Sequence, residues 1–102
     1  MKTNREIAEA AAAEKLRMAG IMLSEPSDTC PNLDLRGHWG VYAGSHGGHA
    51  KTLKTAMHRC LKCCDIGAWW RIDCGKGERM EVLFRRVAKK YLGGWPYLEM
   101  TR

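Results

Sequence analysis

"HWGVYAGSHGGHAKTLKTAMHRCLKCCDIGAWWRIDC", residues 38–74, holds the choice between a mixed fold and an all-helical one. HWGVYAG, His38 to Gly44, alternates. Trp39 and Val41 fall on one face of an extended chain and Tyr42 on the other, which is a strand pattern. GSHGGH then reads as a flexible glycine-rich loop. From about His49 to Cys64 the apolar period changes. Ala50, Leu53, Met57, Cys60, Leu61 and Cys64 recur at steps of three and four, with Lys51, Lys54, Thr55, His58, Arg59 and Lys62 mostly opposite. That pattern predicts an amphipathic helix. GAWWRIDC, Gly67 to Cys74, reads as a second strand, with one of Trp69 and Trp70 turned inward.

Working outward, TNRE at Thr3 to Glu6 fits a capping box, in which the Thr3 hydroxyl accepts from the Glu6 amide and the Glu6 carboxylate reaches back. The alanine-rich run after it is made of strong helix formers. Ile7, Ala10, Ala11, Met18 and Ile21 share its expected inner face. NREIAEA occurs at the start of some helix-turn-helix units, but here alanines continue where the turn belongs, so that reading is set aside. Residues 23–37 read as an internal loop, because Pro26, Pro31, Asn32 and Gly37 are turn formers. A third helix is expected from about Glu78 to Leu92, with Met80, Leu83, Phe84, Val87 and Tyr91 as its apolar stripe. Gly93 and Gly94 end it and Pro96 prevents it from resuming. Residues 93–102 form a tail that packs on the core or frays from it.

These elements predict a single domain over residues 1–102 of α+β class. It has about three helices and a short two- or three-stranded sheet. The alternative is an all-α fold with both strands demoted. Two strands alone make a poor sheet. A third is expected from 30–36 or 95–100, or from edge pairing with a second copy in a homodimer.

Composition narrows the function classes. A chain of 102 residues with 45% hydrophobic content can bury a core, but with little margin. One Phe against four Trp, six Met and five Cys implies a core of Leu, Ala, Met and Cys with a few tryptophan anchors. No apolar run approaches the roughly 18 residues that cross a bilayer, so no membrane partner is expected. MKTNREIAEAAAAEKL carries charges where a secretory leader would be apolar, and a cytoplasmic location is expected. The odd number of cysteines, with Cys63 and Cys64 adjacent, reads as free thiols or metal ligands, not a disulfide framework.

The formal net charge of +6 favours a polyanionic partner: nucleic acid, a nucleoprotein or an acidic protein surface. Most cations lie between Lys51 and Lys90, where the acids are only Asp65, Asp73, Glu78 and Glu81. Arg85, Arg86, Lys89 and Lys90 fall on one side of the third helix, with Tyr91, Trp95 and Tyr97 close in sequence. Basic side chains beside aromatics suit phosphates and unstacked bases. Lys51 and Lys54, at the start of the second helix, are further anion-binding candidates. A solvated helix face is the plain alternative.

Two other constellations are weaker. His58, Cys60, Cys63 and Cys74 could hold a zinc ion, since Cys60 and Cys63 have ligand-pair spacing. The second pair of a strong zinc signature is missing, and Cys60 and Cys64 on an apolar stripe serve equally well as small hydrophobes. A redox role for this pair is disfavoured by its place at a helix C-terminus. VYAGSHGGHAKT has the layout of a phosphate-binding loop but places Ser45 and Ala50 where G-x4-G-K-[ST] requires glycine. His46 and His49 have no orienting carboxylate nearby in sequence, and Ser45 beside His46 is no dyad because chain neighbours rarely face each other, so no enzyme is expected and no cofactor beyond a candidate zinc.

The expected function is therefore a small non-enzymatic binding protein that uses a basic, aromatic-flanked face on nucleic acid or a nucleoprotein. A competing reading is a protein–protein inhibitor or adaptor, of the phage host-takeover or anti-CRISPR kind, with Trp39, Trp70 and Trp95 as hot spots. A small zinc-stabilised domain is the third.

Overall fold

The computed structural model describes residues 3–44, 46–66, 73–74 and 78–97; at 64–66, 73, 74, 78 and 79 only the backbone is described. The order is α1 (Asn4–Met18), β1 (Met22–Ser24), a 3-10 turn (Leu33–Leu35), β2 (Trp39–Ala43), β3 (His46–Ala50), α2 (Leu53–Ile66), β4 (Asp73–Cys74), β5 (Glu78–Arg79) and α3 (Met80–Tyr91). The α+β class holds, with three helices and an antiparallel sheet ordered β1-β2-β3.

Thr3 caps α1 as expected: its hydroxyl accepts from the Glu6 amide at 3.1 Å. The return contact differs. The Glu6 carboxylate accepts from the Thr3 hydroxyl at 3.2 Å. At the other end Gly20 takes φ +94, its amide donates to Arg17 O, and the Ile21 amide donates to Leu16 O. This pair of bonds is the Schellman arrangement, and it stops the helix at Met18. The inner face of α1 is not the expected one. Ile7 and Met18 are 56% and 72% exposed, whereas Glu9, Ala12, Ala13 and Leu16 are buried. An alanine run is apolar on every side, so periodicity does not select the face, and a buried glutamate misleads it further.

Two of the three strands come from segments that the sequence does not mark as strand, and 30–36, one expected source of a third strand, holds the 3-10 turn instead. Met22–Ser24 pairs with β2, Leu23 opposite Val41. His46 to His49, expected in a flexible loop, belong instead to β3, which pairs Tyr42 with Gly47 and Trp39 with Ala50. Gly44, which follows β2, takes φ +61, a conformation that favours glycine. Glycine is needed in β3 for contact reasons. A Cβ on Gly47 would sit 2.7 Å from Tyr42 Cδ1, and one on Gly48 would sit 2.6 Å from Ala56 O and from Arg59 Cβ. Gly47 makes room for the tyrosine ring on one face of the sheet, and Gly48 lets α2 close onto the other.

Because His49 and Ala50 belong to β3, α2 begins four residues later than expected, with the Thr52 hydroxyl accepting from the Thr55 amide. Of its expected stripe, Leu53, Met57, Cys60 and Leu61 are at most 1% exposed and Ala56 joins them, whereas Ala50 belongs to β3 and the Cys64 side chain lies outside the described residues. The stripe of α3 also holds, with Met80, Leu83, Phe84 and Val87 at most 2% exposed. α2 packs on β2 and β3, and α1 packs on α3. One continuous core includes Leu16, Trp39, Val41, Leu53, Met57, Phe84 and Val87. The expected strand at 67–74 is described only at Asp73–Cys74, which pairs with Glu78–Arg79. Residues 67–72, including Trp70, lie outside the described residues, as do 98–102 of the tail.

Candidate nucleic-acid interface

The outer face of α3 is built by helical spacing alone. Val82, Arg86, Lys89 and Lys90 are exposed, and Arg85 is half-buried. Glu81, the only carboxylate in the helix, is 7% exposed and accepts from Arg85 Nη2 at 3.2 Å. The helix therefore satisfies its one acid internally, one turn from a partner at i+4. What it presents outward is cationic. Lys90 Nζ lies 5.4 Å from the Tyr91 ring centroid, close enough for a cation–π contact.

Lys51 is exposed, but Lys54 is committed to the fold. Its ammonium donates to Leu92 O at 2.8 Å and to Gly94 O at 3.1 Å. A cation there meets the carbonyls that the end of α3 leaves unpaired. Lys54 is thus a joint between α2 and α3, and not the anion ligand the sequence suggested.

That joint also places the aromatic residues. Trp95 and Tyr97 lie against α2, not beside the basic side of α3 as their sequence proximity implied. The Tyr97 ring stacks on His58, with centroids 3.8 Å apart and 3° between planes. Trp95 meets Tyr97 edge-on at 5.0 Å. Tyr97 Oη lies 3.1 Å from Thr55 Oγ1. Burial, then the charges of Lys62 and Arg59, hold the His58 pKa below its ordinary 6.5, so the stacked imidazole is neutral at pH 7. The aromatic-flanked basic face therefore belongs to α2, where the exposed Arg59 and Lys62 adjoin the cluster. Sequence reasoning left both out of its binding set. Their signal was available: with His58 they repeat at one and four along the polar side of a helix.

The proposed tryptophan anchors diverge. Trp39 is 4% exposed and belongs to the core, so it is not a surface hot spot. Strand alternation had already placed it beside Val41. Trp95 is half-buried in the aromatic cluster, and Trp70 lies outside the described residues.

The four candidate metal ligands do not converge where they are described. Cys60 is 0% exposed in the core, whereas His58, two positions earlier, turns outward to Tyr97. Cys63 Sγ lies 3.2 Å from His46 Nδ1, and Cys74 is described in backbone only. Among the described residues no three His, Cys, Asp or Glu side chains gather as a metal ion requires. The other loop histidine, His49, has its Nε2 2.6 Å from Tyr42 Oη, and its carbonyl accepts from Arg59 Nη1 at 2.7 Å. Neither histidine contact was legible while β3 was read as loop. No helix among the described residues is long and apolar enough to cross a membrane.

Comparison with protein-family models, with curated proteins and with solved structures finds no match in any of the three.

Proposed function

We propose that the protein is a non-enzymatic binding module that grips the phosphate backbone of nucleic acid with its basic outer surface. One observation carries this reading: Arg86, Lys89 and Lys90 stand together on the exposed side of α3 while the helix's only carboxylate is buried against Arg85. The exposed Lys89 and Lys90, with Arg86 beside them, give this helix a cationic side that attracts a dense polyanion and releases its counterions. Arg59 and Lys62, beside the His58–Tyr97–Trp95 cluster, supply a second basic element. The competing inhibitor or adaptor reading predicts exposed tryptophan hot spots, and Trp39, 4% exposed, does not supply one.

The test is the affinity for short duplex and single-stranded oligonucleotides between about 50 and 200 mM salt. Binding that weakens steeply and log-linearly with salt supports the proposal. No binding at the lower salt to either form would overturn it.

A further inference from the structure

We propose that Cys63 and His46 form a thiol–imidazole pair that makes Cys63 a site of covalent modification by disulfides. The pair joins two elements. His46 opens β3, Cys63 lies on α2, and Sγ and Nδ1 are 3.2 Å apart. The strand alternates, so His46, Gly48 and Ala50 share the face toward α2. Gly48 has no side chain to hold the helix away, as its contact with Ala56 O requires. The approach that packs the helix on the sheet thus also brings the imidazole to the thiol.

The surroundings fit a nucleophile. Both side chains are half-buried, so the sulfur is neither sealed nor fully solvated. Arg59 lies one turn before Cys63 on the same side of α2, and Lys62 precedes it. A thiol reacts as its thiolate, and an imidazole at hydrogen-bond distance from the sulfur is placed to take the proton. The helix dipole acts in the opposite sense near a C-terminus. The imidazole must therefore supply the activation, and removing it should be felt directly.

The step balances with a small disulfide as oxidant. His46 Nδ1 takes the Cys63 proton, and the thiolate attacks one sulfur of R–S–S–R. The old S–S bond breaks, a Cys63–S–S–R bond forms, and R–S⁻ leaves and takes a proton from the imidazolium. Cys63 sulfur is oxidised, and half of the small disulfide is reduced to R–SH.

The molecule holds its own controls. Cys60 is 0% exposed in the core, and Cys30 is half-buried in the 23–37 segment. The experiment is site-resolved mass spectrometry of the full chain treated with oxidised glutathione or iodoacetamide, in a Cys64→Ser background that removes the adjacent thiol. Cys63 should react about tenfold or more faster than Cys30 at pH 7, and His46→Gln should bring it down to the Cys30 rate. Equal rates in the parent protein, or a ratio unmoved by His46→Gln, would overturn the proposal. If Cys60 becomes reactive in His46→Gln, that variant has opened. The variant His46→Asn then decides. Cys63 falling to the Cys30 rate while Cys60 stays unreactive supports the pair, and a Cys63 rate equal to the parent's overturns it.

Discussion

Glu9 of α1 accepts a hydrogen bond from the backbone amide of Leu53, the first residue of α2, at 2.8 Å. The two are 44 positions apart, and Glu9 is 4% exposed. A carboxylate from one helix thereby satisfies a donor that the N-terminus of another leaves open, where negative charge is also favoured. Its second oxygen faces Arg5 Nε at 3.8 Å.

Glu9→Ala removes the acceptor and leaves a buried amide unpaired. It should cost about 1–3 kcal/mol in denaturant unfolding. Glu9→Gln keeps an acceptor and should recover part of this. Arg5→Ala removes an exposed cation 3.8 Å from the buried carboxylate and leaves the Leu53 bond in place, so it should cost less than Glu9→Ala.

Lys54→Met should destabilise the C-terminal end of α3 by about 1–3 kcal/mol, because the carbonyls of Leu92 and Gly94 lose a charged donor. The measurable signature is local. Amide exchange should accelerate from about residue 88 to 95 before it changes in α1.

Gly48→Ala should cost about 1–3 kcal/mol, because the new methyl meets the backbone of α2 at Ala56 O and α2 must move off the sheet. Gly40→Ala meets only the Tyr42 side chain, which can tilt, so it should cost less. Thermal melts of the two variants check the order. The reverse order would mean that α2 does not rest on Gly48.

How much of this was legible depends on which physical signal each segment carries. The stripes of α2 and α3 were readable because large residues such as Met57, Leu61, Phe84 and Val87 alternate with charges at helical period. α1 showed its cap at Thr3 but not its face, since alanines do not distinguish sides and Glu9 is buried for a partner 44 positions away. β3 was hidden because HGGHA lacks the β-branched and aromatic residues that mark strands. Its glycines answer contacts with Tyr42 and α2, which no local pattern encodes. The candidate site shifted for the same reason. Lys54, Trp95 and Tyr97 were identified as notable residues, but only packing shows that the lysine bonds to the end of α3 and carries the aromatics onto α2.

His58 links stability to pH. Its pKa is lowered on folding, chiefly by burial and then by Lys62 and Arg59. Between the folded value and the ordinary 6.5 the unfolded chain binds more protons, so stability there rises with pH. The contribution is complete above about pH 7 and is lost as the pH falls through the folded pKa. His58→Gln should flatten the stability profile on the acid side of neutrality. An unchanged slope in urea titrations across that range would show that His58 does not stay neutral in the fold.

The central claim is that the α3 cations contact phosphates, and the salt slope of nucleic-acid binding tests it most directly. Arg86→Gln/Lys89→Gln should be compared with Met22→Glu/Leu33→Glu, which lowers the net charge equally at two exposed positions on other elements. The α3 pair should reduce the log–log salt slope by about 0.9 per cation on duplex or about 0.7 on single strands, and the control should leave it unchanged. Equal slopes in both variants and the parent would contradict the assignment of α3 as the binding face.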